Sequence, residues 1–194
     1  MSIFYENQRK EWTREQLLDI AGLIYDTDPY IYPAMFDCKT NAETIISGMF
    51  LAGDSMFCFD NLFTATEDDR VIGIILWKRG PLNWNPNKFI QCGGNPEGVE
   101  SVKKEYFDTY KQTEPETVSM INICVSETAR GKGAGRKMME AFFKEVPGPY
   151  ELVVLKDNSV AVHLYEKMGF VITDTYWGFG RPDMKVECFQ MVRP

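Results

Sequence analysis

The order of apolar and polar positions along the chain predicts five helices and seven strands. Apolar residues that recur every three or four positions predict helices over 13–25, 40–51, 96–111, 133–146 and 158–168. Short apolar or β-branched runs bounded by turn residues predict strands over 2–8, 61–67, 70–78, 117–125, 150–155, 170–177 and 185–192. Because strands alternate with helices in the second half, we expect an α/β fold with helices layered on a sheet.

Local signals mark where several of these elements begin and end. Thr13 and Gln16 have the spacing of a capping box, in which the two side chains bond otherwise unpaired amides of the first helical turn. Thr40 and Glu43 repeat that spacing at the start of the second helix. An acidic pair at 68–69 predicts the turn of a hairpin between the second and third strands.

Two segments are predicted to lack regular structure. Segment 26–36 contains two prolines, which are expected to break the helix and hold the chain extended, with its aromatic residues packed over the core. Segment 80–96 is rich in Gly, Pro and Asn and predicts an irregular surface excursion. Since no repeat or long linker divides the chain, we expect one domain over 1–194, with 1–115 supplying helices, a hairpin and the excursion.

Composition and charge exclude several classes of protein. Hydrophobic residues make up 44% of the chain and charged residues 25%, which is incompatible with wholesale disorder. The net charge of −7 makes the chain a poor partner for nucleic acid or an anionic membrane, so we expect it to bind neither. The longest strongly apolar run, 71–77, is far shorter than the roughly 20 residues of a membrane-spanning helix. The first residues lack the basic and apolar stretches of a secretory signal.

The cysteines and the histidine narrow the chemistry further. The five cysteines are scattered, without a CxxC pair, which indicates reduced thiols in a cytoplasmic protein rather than a disulfide framework or a structural zinc site. The one histidine, His163, gives a metal site or a Ser-His-Asp triad little to build on. We therefore expect a cytoplasmic protein without a metal.

The most specific local feature is the segment 130–136, which follows a strand and enters a helix. Its glycines are Gly131, Gly133 and Gly135, and its basic residues are Arg130, Lys132 and Arg136. Glycines let backbone amides approach a ligand without obstruction, and amides at a helix N-terminus favour an anion. The segment therefore predicts a phosphate site, and a tight turn with exposed basic residues explains the loop alone equally well.

Two familiar nucleotide-binding loops do not fit this segment. A Rossmann fingerprint counted from Gly131 needs glycine at 136, where the chain has Arg136. A Walker A loop needs glycine at 126 and Ser or Thr at 133, where the chain has Ser126 and Gly133. The predicted phosphate therefore belongs to neither kind of nucleotide site.

A second group of residues lies one strand downstream. Asn158 and Tyr165 are seven residues apart, two helical turns, so their side chains share one face. Asn158 is also a plausible helix N-cap, and Tyr165 also fits as a half-buried packing residue. Neither alternative predicts that both residues follow a glycine-rich loop by one strand.

The stretch 118–170 resembles the GNAT (Gcn5-related) N-acetyltransferase family. The loop 130–135 fits the family's acyl-CoA signature Q/R-x-x-G-x-G/A at each specified position, and the run 158–170 is similar to the second signature. The resemblance implies a GNAT-like acyl-CoA fold, with a mixed, mostly antiparallel twisted sheet of six to seven strands flanked by helices. It makes 116–194 the acyl-CoA-binding half, whereas the first 115 residues match only in the order of their elements.

The resemblance also assigns roles to individual residues. The pantetheine arm of acetyl-CoA is expected along the strand that ends at Val125, the pyrophosphate on the loop amides, and the strand 150–155 is expected to splay away and open a V-shaped slot. Asn158 is expected to bond the cofactor, and Tyr165 is expected to protonate the leaving thiolate. The predicted cofactor-binding residues are Ile123, Cys124, Val125, Arg130, Gly131, Lys132, Gly133, Ala134, Gly135, Arg136 and Asn158.

Elementary chemistry supports such a transfer. Amine attack on a thioester places negative charge on the carbonyl oxygen, so a backbone donor near 123–125 is expected to stabilise it. A thiol of pKa about 8.5 and a phenol of pKa about 10 are close enough for Tyr165 to donate a proton as the thiolate leaves. The sequence does not identify the base, because Asn122 cannot act as one and Glu116 is expected too far away. Cys124 is interpreted as a packing residue.

By the same resemblance, the aromatic segment 30–36 and a turn over 176–183 shape the acceptor pocket. The candidate substrate-binding residues are Tyr30, Tyr32 and Trp177. Aromatic rings near Asp26 and Asp28 suit a cationic, partly apolar amine through cation–π and carboxylate contacts. We therefore expect a small-molecule or peptide amine as the acceptor.

Together these observations predict an acetyl-CoA-dependent N-acetyltransferase that moves an acetyl group to a primary amine by direct attack. The alternative is a non-catalytic acyl-CoA-binding or regulatory domain. Tyr165 favours the enzyme, because a pure binder has no need of a proton donor there. A homodimer is compatible with the sequence, which determines neither the oligomeric state nor the acceptor.

Overall fold

The computed structural model describes residues 3–9, 11–53, 55–82, 84–107, 113–181 and 184–194. The strands are β1 (Phe4–Asn7), β2 (Leu62–Glu67), β3 (Arg70–Arg79), β4 (Val118–Val125), β5 (Tyr150–Leu155), β6 (Val171–Arg181) and β7 (Met184–Arg193). The helices are α1 (Arg14–Tyr25), α2 (Ile31–Phe36), α3 (Lys39–Ala52), α4 (Pro86–Gln91), α5 (Pro96–Val102), α6 (Ala134–Glu145) and α7 (Ser159–Lys167). Every strand and helix predicted from the pattern is present, and α2 and α4 are additional.

The strands form one sheet in the order β1-β2-β3-β4-β5-β7-β6. Each neighbouring pair is antiparallel except β4 and β5, which are parallel, so the predicted mixed and mostly antiparallel sheet is confirmed. The hairpin between β2 and β3 turns at Asp68 and Asp69, whose φ angles of 48° and 61° lie in the left-handed region. Aspartate tolerates that region better than most residues, which explains the acidic turn.

The sheet separates two hydrophobic cores. Helices α1 to α5 cover one face, where Ile20, Ile46 and Phe50 are almost fully buried. Helices α6 and α7 cover the other face, where Met138 and Phe142 are fully buried. Burying one such side chain contributes about 1.5–3 kcal/mol, so both layers are held to the sheet mainly by apolar contact.

The central strands β4 and β5 pair only at their first residues. Val118 lies opposite Tyr150 and Ser119 opposite Glu151, and no further rung joins the two strands. Strand β5 instead pairs with β7 along its whole length, and β4 pairs with β3. The two strands therefore separate beyond the pair of Ser119 and Glu151, which confirms the predicted V-shaped slot.

A β-bulge alters the alternation of side chains in β4. In the pairing with β3, Leu76 lies opposite Asn122 and Trp77 opposite Met120, so Ile121 has no partner. An extra residue turns two successive side chains towards the same face. Ile121 packs on the core under α1 to α5, and Asn122 reaches the same side to bond the turn after α1.

Two local predictions about the first half were wrong. Helix α3 begins at Lys39, one residue before the expected cap Thr40, and its N-cap Cys38 forms no side-chain cap, so the second capping box is absent. Segment 26–36 is not extended, because Ile31–Phe36 forms α2. Pro33 is tolerated there since it lies in the first turn, where backbone N–H groups have no partner within the helix.

The predicted excursion and final turn also differ from the structure. Segment 80–96 contains the short helix α4, which an asparagine–proline pair opens, so it is only partly irregular. The helix expected to reach 111 ends as α-helix at Val102 and continues as a wider turn over Lys103–Phe107; its last part lies outside the described residues. β6 runs to Arg181, through most of the turn predicted over 176–183. No helix in the described ranges is both long and apolar enough to cross a membrane.

Candidate active site

A cavity of about 170 Å³ lies where β4 and β5 part. Its walls come from both strands, from α7, from the turn between α1 and α2, and from Cys188 on β7. Of the predicted site residues, Tyr32, Ile123, Asn158 and Tyr165 line this cavity together. The parted strands thus bring residues from both halves of the chain around one space.

The glycine-rich loop leads into α6 with an open front. Gly131 and Gly133 have φ angles of 72° and 76°, and a Cβ atom at either would meet nothing within 4 Å. Gly135 differs, because a Cβ there would make an ordinary contact with Leu164 at 3.6 Å. The two left-handed glycines therefore leave free space before the helix, while Gly135 lies against α7.

The N-terminal end of α6 has no side-chain cap. Its N-cap is Gly133, whereas α1 is capped by Thr13 in the predicted capping box and α7 is capped by Asn158. The first bond within α6 runs from the Lys137 amide to the Gly133 carbonyl at 3.1 Å. The amides of 134–136 have no acceptor within the helix, which is the arrangement that binds an anion.

The three basic residues of the loop differ in their partners. Arg130 donates to the Val125 carbonyl at 3.2 Å, and Arg136 pairs with Glu140 at 2.8 Å along α6. Lys132 is exposed at the tip of the loop. The positive charge predicted around this end of the helix is present, and the roles of Arg130 and of the whole loop towards a cofactor stay predictions.

Tyr165 is held in the cavity wall by α7. Its side chain is 7% exposed and packs against Phe170, with ring centroids 6.0 Å apart. Its hydroxyl forms no hydrogen bond with any residue that the structure describes. Burial, and to a smaller extent the Cys124 thiol, raise the pKa of Tyr165 well above its usual value. The phenol therefore stays protonated at neutral pH and is available as a proton donor.

Asn158 combines the two interpretations left open by the sequence. Its Oδ1 accepts from the Ala161 amide at 3.2 Å and so caps α7. Its side chain also lines the cavity, and the cap leaves the amide nitrogen Nδ2 unused among the described residues. A bond from Asn158 to a cofactor is therefore geometrically compatible with the cap and stays a prediction.

The predicted acceptor residues are not gathered in one place. Tyr32 lies in the cavity wall and donates to Asn122 Oδ1 at 3.0 Å. Tyr30 is half-buried, and Trp177 on β6 is 59% exposed; neither is among the described residues that line the cavity. Asp26 is at the surface, where it pairs with Lys39 at 2.5 Å. Of the three candidate substrate-binding residues, Tyr32 alone is among the described residues that line the cavity.

Asp28 lies in the cavity wall and has a distinct geometry. Its Oδ1 accepts from the backbone amides of Tyr30 and Ile31, both at 2.7 Å, at the start of α2. Its Oδ2 has no hydrogen-bond partner in the part of the chain that the structure describes. Burial raises the pKa of Asp28, and the two amide bonds oppose that effect.

Glu151 is the residue that the sequence analysis missed. It is 7% exposed, lines the cavity and accepts from Ser119 Oγ at 2.5 Å and from Thr113. A charged residue within the otherwise apolar strand 150–155 was a visible signal in the sequence. Its link to Ser119 depends on the two-residue parallel pairing between β4 and β5, which the sequence does not reveal.

The buried cysteines are poor nucleophiles. Cys124 is 8% exposed, and burial raises its pKa. Burial and the neighbouring Asp28 carboxylate raise the pKa of Cys188 to about 11. Because the thiolate is the reactive form, Cys124 fits the packing role predicted for it better than a covalent one. The described residues contain no group of three or more His, Cys, Asp or Glu placed to hold a metal ion.

Comparison with known proteins identifies the family. The family model described as acetyltransferase (GNAT) family matches residues 29–170, well over half of the chain. The chain therefore belongs to the GNAT acetyltransferase family and is an acyltransferase, and members of this family use acetyl-CoA. No curated protein sequence matches the chain closely enough to serve as a relative.

Solved structures share the fold at low sequence identity. An N-acetyltransferase from Staphylococcus aureus Mu50 is 15% identical over 99% of this chain and 100% of its own, with a TM-score of 0.67. A structure from Corynebacterium glutamicum, described as histone acetyltransferase HPA2 and related acetyltransferase, is 16% identical over 100% of this chain and 97% of its own, with a TM-score of 0.65. A chain of the NatC complex bound to Gag peptide and CoA is 18% identical over 100% of this chain and 99% of its own, with a TM-score of 0.57.

Proposed function

We propose that this protein is an N-acetyltransferase that transfers the acetyl group of acetyl-CoA directly to a primary amine. The observation that carries the proposal is the position of Tyr165. It is a buried, protonated phenol whose hydroxyl is unused by the described residues, in the wall of a cavity between two parted strands. A proton donor at that point serves a leaving thiolate.

The donor side of the cleft suits a phosphorylated thioester. The uncapped end of α6 and the space before Gly131 and Gly133 fit a pyrophosphate, with Lys132 free to add charge. The edge of β4 beyond Ser119 has no strand partner on the β5 side, so its backbone groups are available to an extended pantetheine arm. Acetyl-CoA supplies the acetyl group as an activated thioester.

The acceptor side suits a positively charged amine. Among the described lining residues, Asp28 and Glu151 are carboxylates, and none is a lysine or arginine. The free Oδ2 of Asp28 can bond an ammonium group, and aromatic side chains such as Tyr32 and Trp84 surround the same space. The volume of about 170 Å³ is below the range of about 300–1,000 Å³ for drug-sized ligands, so a narrow alkyl amine or a peptide side chain fits best.

The direct route follows from the same geometry. The acceptor nitrogen attacks the thioester carbon, the carbonyl oxygen gains charge, and a backbone N–H of β4 near Ile123 stabilises it. Tyr165 donates its proton as the C–S bond breaks. Cys124 takes no covalent part, because its raised pKa keeps it as a thiol.

The alternative function, a non-catalytic acyl-CoA-binding domain, keeps the donor side and lacks turnover. Two measurements on the wild-type protein separate it from the enzyme. The first is a thermal-unfolding scan with and without acetyl-CoA. At 100 times its dissociation constant the ligand adds roughly 2.7 kcal/mol to the stability of the native state, and at about 2–4 °C per kcal/mol this raises the unfolding midpoint by several degrees. The second is an activity assay that follows the release of free CoA thiol with spermidine, tyramine and a short peptide as acceptors.

We expect a thermal shift together with CoA release that depends on at least one amine. A thermal shift without release from any acceptor would favour the binding domain. The absence of both would mean that the loop 130–136 does not hold acetyl-CoA.

A further inference from the structure

A chain of hydrogen bonds lies in the cavity wall on the side of α1 and α2. Tyr32 Oη is 3.0 Å from Asn122 Oδ1, and Asn122 Nδ2 is 2.7 Å from Thr27 Oγ1. Thr27 Oγ1 is in turn 2.6 Å from the carbonyl oxygen of Ile24. Tyr32, Asn122 and Thr27 all line the cavity, and the first two are 6% and 5% exposed. Side chains from two distant segments thus form one connected group at the site.

The direction of each bond in this chain follows from its last member. A backbone carbonyl has no hydrogen to give, so the Thr27 hydroxyl donates to Ile24. With its one hydrogen used, Thr27 Oγ1 accepts from Asn122, so the amide nitrogen of Asn122 faces Thr27. The amide oxygen then faces Tyr32, which must donate to it. The hydroxyl hydrogen of Tyr32 is therefore held inside the wall.

The Tyr32 oxygen is left as an acceptor towards the cavity. Thr27 also lies beside this hydroxyl, but the hydrogen of Thr27 is used on Ile24, so Thr27 does not donate to Tyr32. Burial raises the pKa of Tyr32 well above its usual value; the Asn122 bond opposes that effect, and the neighbouring Asp28 carboxylate adds to it. The phenol therefore stays neutral at neutral pH and keeps its hydrogen on Asn122.

Asp28 supplies a second acceptor beside the first. Its Oδ1 accepts from the amides of Tyr30 and Ile31, and its Oδ2 has no hydrogen-bond partner in the described part of the chain. Asp28 and Tyr32 are four residues apart, and both line the cavity. This part of the wall therefore presents two neighbouring oxygen atoms, both as acceptors.

From this geometry we propose that Tyr32, oriented by Asn122 and Thr27, selects a primary amine by accepting one of its N–H groups while Asp28 accepts another. The proposal rests on the N-acetyltransferase function proposed above, and it names the residues that distinguish a primary amine from a secondary one. Asn122 and Thr27 act through Tyr32 and are positioning residues.

The number of N–H groups on the acceptor explains the selection. A primary ammonium has three: two bond Asp28 and Tyr32, and the third proton is lost to water before the nitrogen lone pair attacks the thioester carbon. A secondary ammonium has two, so the loss of one proton breaks one of those bonds before attack. A hydroxyl group has a single hydrogen. Because a buried acceptor without a partner costs free energy, the wall disfavours both alternatives.

The two faces of the sheet keep this pair of acceptors apart from Tyr165. Tyr32 packs in the core under α1 to α5, whereas Tyr165 packs in the core under α6 and α7. Glu151 lies between Tyr150 and Leu152, which belong to the core of Tyr165, so its side chain points to the side of Tyr32. The amine nitrogen is therefore bound on one face, and the thiolate leaves towards the other.

The test measures how far the enzyme prefers a primary amine to its N-methyl counterpart. The two pairs are tyramine with N-methyltyramine, and a short lysine peptide with the same peptide carrying N6-methyl-lysine. We expect the ratio of kcat/KM values to be about a hundred in the wild type and about tenfold lower in Tyr32→Phe. Tyr25→Phe, a half-buried tyrosine of α1 that is not among the described residues lining the cavity, is the matched control and should keep the wild-type ratio.

A second variant separates the hydrogen bond from the space that the hydroxyl fills. Thr27→Val leaves Tyr32 in place and removes the acceptor of Asn122 Nδ2, so the amide can turn its nitrogen towards Tyr32. The Tyr32 hydrogen then points towards Asp28 and competes with the amine. The ratio is expected to fall by about threefold or more, whereas Thr27→Ser, which keeps the hydroxyl, should restore it. Added to Tyr32→Phe, Thr27→Val should lower the ratio no further, because Thr27 acts through Tyr32.

The outcomes separate this proposal from the proposed function. Unfolding midpoints and acetyl-CoA affinity are measured for every variant, and both are expected to stay close to those of the wild type. An active wild type without a preference for the primary amine, or with an unchanged preference in Tyr32→Phe, overturns the role of Tyr32 and leaves the proposed function standing. A ratio that falls in Tyr32→Phe and not in Thr27→Val overturns the positioning role of Asn122 and Thr27. A wild type that acetylates none of the amines overturns the proposed function, and the selection with it.

Discussion

The two sides of the gap between β4 and β5 carry opposite charges. On the α6 side, the open helix end and the glycines of 130–136 present backbone amides and positive charge at an exposed surface. On the α1 side, Asp28 and Glu151 present negative charge from partly or fully buried positions. One side suits an anionic cofactor, and the other suits a cationic amine.

The difference teaches how one acidic chain can bind a highly anionic cofactor. The net charge of −7 describes the whole surface, whereas the proposed phosphate site depends on amides and charges within one loop. The parted strands β4 and β5 keep the two kinds of charge on separate faces, and Tyr165 lies at their junction. Changes on either side should therefore affect one substrate and spare the other.

The largest effect on activity is expected from Tyr165, which lies where the donor and acceptor sides meet. Tyr165→Phe removes the hydroxyl and keeps the ring, so kcat is expected to fall by about a hundredfold or more with little change in acetyl-CoA affinity. Because the pKa of Tyr165 is raised, the residue is protonated from pH 6 to 9 in the wild type, and the variant should lower the rate uniformly over that range. Tyr150→Phe, a buried tyrosine that bonds the Val146 carbonyl, is the control. An unchanged kcat at every pH would remove Tyr165 from the mechanism.

Thiol reactivity tests whether burial and the Asp28 carboxylate suppress ionisation of the Cys188 thiol in the cavity wall. The pKa of Cys188, raised to about 11, leaves roughly a hundredfold less thiolate at pH 8 than an ordinary cysteine has. Alkylation by iodoacetamide, followed by mass spectrometry, should therefore modify the exposed Cys38 first and Cys188 only as the pH approaches 11. Equal rates at pH 8 would show that Cys188 ionises as readily as an exposed cysteine, which would contradict the raised pKa.

On the donor side, Gly133→Val is expected to weaken acetyl-CoA binding by about tenfold or more, as measured by titration calorimetry. Valine at a φ of 76° is strained by about 1–3 kcal/mol, and its side chain enters the space that the phosphates need. Gly135→Ala is the matched control, because its Cβ makes only an ordinary contact with Leu164. If Gly133→Val binds acetyl-CoA like the wild type, the phosphate is not held there.

The smallest effect is expected from Asp28→Asn on the acceptor side. The variant keeps Oδ1 as the acceptor of the two amides at the start of α2 and removes the charge, so KM for spermidine should rise by about tenfold while KM for acetyl-CoA stays constant. Asp26→Asn, at the surface beside Lys39, should change neither constant. An effect of Asp28→Asn on acetyl-CoA alone would reverse the assignment of the two sides.

The donor side could be predicted because its determinants are contiguous in the chain. The residues 130–136 and the pair of Asn158 and Tyr165 each lie within one local element, and the alternation of strands and helices placed them near each other. Chemistry that depends on backbone conformation and short spacing is visible in sequence.

The acceptor side could not be predicted because distant residues build it. Asp28, Ser119 and Glu151 are brought to one cavity by the two-residue parallel pairing of β4 and β5 and by α2, a helix that lies where the prolines predict an extended chain. The bulge at Ile121, which turns Asn122 towards Tyr32, leaves no mark in the pattern of apolar residues. Pairing between distant strands decides such contacts, and composition does not.

The separation of donor and acceptor across the sheet gap is tested most directly by a crystal structure with CoA bound. The account predicts the pyrophosphate on the amides of 130–136, the pantetheine arm along the free edge of β4, and the CoA sulfur within hydrogen-bond distance of Tyr165 Oη. Glu151 should remain on the opposite face of the gap, open to an amine. A pyrophosphate bound elsewhere, or a sulfur on the same face as Asp28 and Glu151, would contradict the account.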